Sequence, residues 1–86
     1  MNFDQLISFL LEQPFNRSLG DCPVSTIIAD IQAKTGHYEL KEGEDYIRCG
    51  IMLQMINEKP AKNYGEAAKI IKKWAEKIRG AKAITI

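Results

Sequence analysis

The sequence contains few of the residues that build metal centres, disulfide frameworks or membrane spans. Its 86 residues include two cysteines and one histidine. Cys22, His37 and Cys49 lie too far apart in the chain to match the ligand spacing of a structural zinc site. No run approaches the ~18 consecutive apolar residues that a membrane-spanning helix needs. We therefore expect no metal, no disulfide scaffold and no membrane association.

The first residues, Met1 to Asp4, carry none of the basic charge that opens a secretory signal. This favours a cytoplasmic protein whose two cysteines are reduced and pack as small apolar side chains. Cys22 stands before Pro23 at a predicted helix start, where the helix dipole could stabilise a thiolate. A reactive thiol is the alternative there, and a simple capping position is the preferred interpretation because no histidine is near enough to act as a base.

Catalytic motifs are also scarce. Ser18, Ser25 and Thr26 have no base at a spacing that suggests activation of a hydroxyl. The six glycines stand singly along the chain and form no phosphate-binding loop. The acidic segment 42–45 falls at a predicted helix start, where negative charge compensates the dipole. The sequence therefore predicts a protein that is not an enzyme and that binds no cofactor.

What the chain does contain is the composition of one small folded domain. It is 45% hydrophobic and 27% charged, which is typical of globular proteins. Apolar residues recur at helical spacing in four segments, so the predicted fold is an all-α bundle of four helices in a single domain. The predicted helices span 2–13, 22–35, 42–58 and 63–79, and a short extended or β-like tail follows over 81–86.

Cap residues and apolar stripes define these helices. Asn2 with Gln5 and Asn63 with Glu66 have the capping-box pattern, and Gly36 suits the end of the second helix. The predicted inward residues are Phe3, Leu6, Ile7, Leu10 and Leu11 in the first helix, Val24, Ile27, Ile28 and Ile31 in the second, and Ala67, Ile70, Ile71, Trp74 and Ile78 in the fourth.

Further expectations concern the third helix and the loops. The third helix has the widest apolar arc, which runs from Tyr46 and Ile47 to Met55 and Ile56, and it is predicted to be central and most buried. Gly50 lies in its middle, where glycine costs ~1 kcal/mol relative to alanine, so another helix is expected to approach closely there. Phe15 and Leu19 are expected to lie against the core, and Asp21 is expected to cap the second helix.

The net charge of +1 conceals a division along the chain. Residues 1–58 carry four bases against nine acids, a net charge of −5. Residues 59–86 carry eight bases against two acids, a net charge of +6. The predicted partner-binding residues lie in and beside the fourth helix, and they are Lys62, Lys69, Lys72, Lys73, Lys77 and Arg79.

This basic helix has three interpretations. It docks on a protein with an acidic surface, it contacts the phosphates of a nucleic acid, or it is solvated and neutralised by the acidic helices. We favour a small protein-binding adaptor, regulator or inhibitor, because lysine lacks the fork with which arginine reads guanine. Such chains are frequent among phage and mobile-element accessory proteins, some of which act on host nucleic-acid-processing machinery. The alternative is a nucleic-acid-binding regulator, and a homodimer is compatible with either.

Two weaker patterns also have a structural and a functional interpretation. Residues 24–38 faintly match the first helix and turn of a helix-turn-helix, with Gly36 at the turn. The acids that open the following helix would repel phosphates, so reading of the major groove is not favoured. Trp74 is expected to be a core anchor, and if exposed it becomes a binding hot spot.

Overall fold

The computed structural model describes residues 1–36, 43–59 and 61–80, and within these ranges the chain forms four α-helices and no β-strand. The helices are α1 (Phe3–Glu12), α2 (Pro23–Thr35), α3 (Glu44–Glu58) and α4 (Tyr64–Gly80). The predicted all-α fold is confirmed, and the predicted bounds differ by two residues at most. The predicted tail and His37 lie outside the described residues. No helix in these ranges combines the length and apolarity needed to span a bilayer.

Local capping signals set three of the helix ends. The Asn2 Oδ1 atom accepts a hydrogen bond from the Gln5 N–H at 2.8 Å, and the Gln5 Oε1 atom accepts from the Asn2 N–H at 2.9 Å. Gly36 ends α2 in the left-handed conformation, with φ of 85°, where glycine carries no steric cost. Before α4, the Asn63 Oδ1 atom accepts from the Glu66 N–H at 2.9 Å. The caps predicted at Asn2, Gly36 and Asn63 are confirmed. The second bond of the capping box predicted at Asn63 does not form, because the Glu66 side chain accepts from the Lys62 N–H.

The start of α2 differs from the prediction. Cys22, not Asp21, occupies the N-cap position, and no side chain caps this end. Pro23 is the first helical residue, and its missing N–H removes one donor that would need an acceptor. The hydroxyl of Thr26 donates to the Leu19 carbonyl at 2.7 Å, which connects the first turn of α2 to the preceding loop. The prediction for Asp21 is wrong because Asp21 lies one residue too early to reach the first turn.

A single hydrophobic cluster fills the space between the helices. α3 is central, as predicted, because it packs against α1, α2 and α4, and α4 also packs against α1. Full burial of one aliphatic side chain contributes about 1.5–3 kcal/mol to stability. The largest fully buried side chains are Tyr64, Leu6, Leu10, Leu19, Ile27, Ile31, Met52, Ile56 and Ile71.

Several large apolar side chains predicted to be buried are exposed, and they are Leu11, Phe15, Tyr46 and Ile47. In α1, Phe9 is buried and Leu11 is not. Leu11 lies at the edge of the side of α1 that its neighbouring helices cover. Exposure of Tyr46 and Ile47 shows that α3 is central without being buried along its whole length.

The prediction of a close helix approach at Gly50 is also wrong. Gly50 is exposed, and a Cβ atom added there would have no neighbour within 4 Å. Gly50 therefore lowers the stability of α3 through its backbone entropy, and no contact at this position offsets that loss.

Replacement of Gly50 by alanine is expected to raise the free energy of unfolding by about 0.5–1 kcal/mol. For a domain of this size the gain corresponds to a rise in Tm of about 3–8 °C. Thermal and denaturant unfolding followed by circular dichroism measure it. A Tm at or below that of the wild type would mean that this position is not open to solvent.

Candidate functional site

The fourth helix separates apolar and basic side chains on opposite sides. Its buried residues are Tyr64, Ala67, Ala68, Ile71, Ala75 and Ile78. Ile70 and Trp74, predicted to point inward, are half-buried and pack against the edge of the core. The exposed lysines of α4, with Lys62 just before it, form what we call the basic face, and they are Lys62, Lys69, Lys72, Lys73 and Lys77.

None of the ion pairs in the described ranges includes a lysine of the basic face. No carboxylate among those residues lies within 4.0 Å of the ammonium group of any of these five lysines. The pairs that do form join Arg17 to Asp30, Lys34 to Glu12, and Arg79 to both Asp4 and Glu76. The acidic residues that these ranges contain therefore do not neutralise the lysines of α4 by direct contact.

Arg79 differs from the lysines with which it was predicted to act. Its Nε donates to the Asp4 Oδ1 atom at 3.0 Å, and it also binds Glu76. Its guanidinium lies 5.8 Å from the centroid of the Phe3 ring. The hydrogen bonds and attraction of Glu76 and Asp4 raise the pKa of the guanidinium. Arg79 thus joins the end of α4 to the start of α1, and its role in partner binding stays a prediction.

Trp74 packs at the edge of the core, and its role as a binding hot spot stays a prediction. The indole is half-buried and packs against the hydrophobic cluster. The ammonium groups of Lys73 and Lys77 lie 5.5 Å and 4.7 Å from the ring centroid. Cation–π contacts of this kind contribute about 0.5–1 kcal/mol at exposed sites. On this side of α4 the two lysines therefore already have an intramolecular partner.

On the other side of α4, the loop between α1 and α2 pairs with the start of the helix. The Gly65 N–H donates to the Phe15 carbonyl at 3.0 Å, and the Leu19 N–H donates to the Lys62 carbonyl at 2.8 Å. This backbone pairing fixes the direction of the loop, so that Leu19 is fully buried while Phe15 remains 62% exposed. The prediction that Phe15 lies against the core is wrong for this reason.

Phe15 forms one wall of an open groove of about 470 Å³ between the loop and α4. Lys69 and Lys72 form part of the opposite wall. Glu66 also lines the groove, and its Oε2 atom accepts a hydrogen bond from the Lys62 N–H at 3.0 Å. The groove is therefore lined by an exposed aromatic ring, two cations and one carboxylate, and that carboxylate is already hydrogen-bonded to the backbone.

A polar cluster that the sequence reasoning missed lies behind this loop. The buried Tyr64 hydroxyl donates to the Asp30 Oδ2 atom at 2.7 Å, and Arg17 donates to both Asp30 oxygens at 2.7 Å and 3.2 Å. Hydrogen bonding from Arg17 lowers the pKa of Asp30, while burial raises the pKa of the Tyr64 phenol. The one signal in the sequence was Asp30 itself, an acid three residues after Ile27 and next to the apolar stripe of α2.

The remaining candidates for chemistry are separate from one another. Cys22 is exposed, Cys49 is buried, and both thiols are free. Burial, with nearby Asp45, raises the pKa of Cys49 to about 11. The hydroxyl of Ser18 accepts from the Gly20 N–H at 3.1 Å. In the described segments no three potential metal ligands come together.

The basic face and the groove beside it bring charged and apolar groups together at one part of the described surface. They gather four lysines on α4 and a fifth, Lys62, just before it, and an exposed aromatic ring lines the same groove as two of them. Comparisons of the chain with models of known protein families, with curated proteins and with solved structures find no match.

Proposed function

We propose that this protein is a non-enzymatic binding module, an adaptor, regulator or inhibitor, that docks on the acidic surface of a protein partner through the basic face. The observation that carries the proposal is the state of the five lysines: all are exposed, and none is paired with a carboxylate of the described residues. An acidic partner would supply the missing counter-charges.

The spacing of the lysines supports this reading. Lys69, Lys73 and Lys77 follow one another at intervals of four residues along α4. Like charges at this spacing destabilise a helix by a few tenths of a kcal/mol per pair. A partner that places carboxylates between them removes this repulsion. Repulsion between the lysines therefore slightly lowers the stability of the free helix, and an acidic partner removes this loss when it binds.

A protein partner fits the described surface better than a nucleic acid does. Arg17 and Arg79 are both held in ion pairs with carboxylates, so the basic face presents lysine alone. Lysine binds phosphate as a point charge but lacks the planar fork that reads base edges. Nucleic-acid binding is therefore the alternative that the experiment must separate.

Neutralisation of Lys69, Lys72 and Lys73 to glutamine is expected to abolish capture of the partner from native lysate. These side chains are exposed, and such substitutions usually change stability by no more than about 0.5 kcal/mol each. The tagged wild type and the variant are compared by affinity capture, with and without nuclease. Circular dichroism checks that both are folded.

The matched control is a variant that changes net charge by the same amount elsewhere, with glutamate at Ser8, Ser25 and Ala29, all exposed on α1 and α2. It should retain the partner. Recovery that disappears with nuclease would support nucleic acid. Equal loss of the partner in both variants would mean that net charge matters and the basic face does not, and the proposal would be rejected.

A further inference from the structure

The two sides of the basic face differ in what their lysines contact. On one side, Lys73 and Lys77 lie over the half-buried Trp74 ring. On the other side, Lys69 and Lys72 make neither a cation–π contact nor an ion pair with any described residue. They line the groove whose far wall is Phe15. Two cations without an ion pair therefore line the same groove as the most exposed large apolar side chain of the described surface.

Phe15 is presented to solvent by a well-anchored backbone. Its carbonyl accepts from Gly65, and the Arg17 N–H, two residues on, donates to the Pro14 carbonyl at 3.1 Å. Leu19, at the end of the same loop, is fully buried in the core. A backbone held in this way loses little conformational freedom when a partner covers the ring, and this lowers the entropic cost of binding.

We propose that the groove between Phe15 and Lys69–Lys72 is the primary docking site, and that its occupant is an acidic peptide segment with one aromatic or large aliphatic anchor. The anchor packs against Phe15 while flanking carboxylates pair with the two lysines. The side chain of Asn16, which makes no hydrogen bond with the described residues, lines the same groove and is placed to bind a peptide backbone. This inference rests on the proposed function and specifies which part of the basic face carries it.

Charge complementarity selects this occupant. The groove presents two lysines and one carboxylate, and that carboxylate, from Glu66, is already hydrogen-bonded to the Lys62 N–H. Exposed ion pairs each contribute about 0.2–1 kcal/mol, so charge alone gives weak binding. An apolar anchor that buries part of the Phe15 ring adds a contribution that salt does not screen. The combination distinguishes a peptide with an anchor from a purely acidic polymer.

The test uses the full chain labelled with ¹⁵N and a capped acidic peptide that has one phenylalanine between two runs of glutamate. A second peptide has alanine in place of the phenylalanine. We expect the largest amide shifts at Asn16, Gly65 and Lys69. The phenylalanine peptide should bind about three- to tenfold more tightly than the alanine peptide.

Two pairs of substitutions with equal charge change locate the site. Lys69→Gln with Lys72→Gln is expected to raise the Kd about three- to tenfold. Lys73→Gln with Lys77→Gln should raise it less than about twofold, since those lysines lie over Trp74. Phe15→Ala should remove the preference for the phenylalanine peptide. Because the Phe15 side chain is largely exposed, that variant should keep its fold.

Other outcomes would overturn the inference in distinguishable ways. Shifts centred on residues 73–77 would move the site to the Trp74 side, and equal sensitivity to both lysine pairs would spread it over the whole basic face; either result would reject the groove as the primary site and leave the proposed function standing. Failure of the phenylalanine peptide to bind would reject this site, while capture from lysate would still test the basic face. Tighter binding of an oligothymidylate than of either peptide in the same groove would overturn both the inference and the protein-partner function.

Discussion

Asp30→Ala is expected to lower the free energy of unfolding by about 2–3 kcal/mol, a fall in Tm of roughly 10–20 °C. Tyr64 is fully buried, and its hydroxyl donates to Asp30 at 2.7 Å. Without the carboxylate this donor has no acceptor, and a buried unsatisfied group costs about 1–3 kcal/mol. Arg17 loses its partner as well, although half of its side chain is exposed and water replaces the bond.

Denaturant unfolding of three variants measures this effect. Tyr64→Phe removes the hydroxyl and should cost less than Asp30→Ala, because it leaves Asp30 bonded to Arg17 and no buried donor without an acceptor. The double variant should be more stable than the sum of the two losses predicts, since the two residues share one bond. Additive losses would show that the Tyr64–Asp30 bond contributes nothing.

Acid titration provides an independent check on the same cluster. The lowered pKa of Asp30 means that its stabilising contribution is present above the ordinary aspartate range and is lost as the pH falls through the folded-state value. The difference in stability between the wild type and Asp30→Asn should therefore shrink below about pH 4. A difference that stays constant down to pH 2 would contradict the pairing.

The sequence predicted well what depends on neighbouring residues. Asn2 and Asn63 cap their helices because each partner lies three residues away, and Gly36 ends α2 because only its own backbone is involved. The four helices follow from the 3.6-residue period of apolar residues. The division of charge is also visible in the sequence, and the spacing of the lysines relative to the apolar residues places them on the solvent side of α4.

Contacts between segments that are distant in the sequence cannot be predicted from neighbouring residues alone. Phe15 lies outside any periodic segment, so nothing local fixes its direction, and its exposure follows from a backbone bond to Gly65 fifty residues later. The Tyr64–Asp30 bond likewise joins residues 34 apart. The sequence therefore does not predict the groove, although Lys69 and Lys72 are among the predicted binding residues. The other wall includes Phe15, and the predicted position of Phe15 is against the core.

The two glycines inside α3 and α4 illustrate the same limit. Gly50 and Gly65 both stand in helical sequence, and helix propensity alone predicts that alanine would stabilise either position. Their surroundings are opposite. A Cβ atom at Gly65 would lie 3.2 Å from the Phe15 carbonyl oxygen and 3.2 Å from the Asn63 Oδ1 atom. Both oxygens already accept hydrogen bonds that hold the start of α4, from Gly65 and Glu66.

Gly65→Ala is therefore expected to lower the free energy of unfolding by about 1–2 kcal/mol, which is a fall in Tm of roughly 5–12 °C. The added methyl group pushes the Phe15 loop away from α4 and lengthens both bonds, and this strain exceeds the gain in helix propensity. Gly50→Ala is the matched control and should change stability in the opposite direction. If Gly65→Ala were as stabilising as Gly50→Ala, the loop would not pack closely on α4, and the groove wall formed by Phe15 would not be fixed in place.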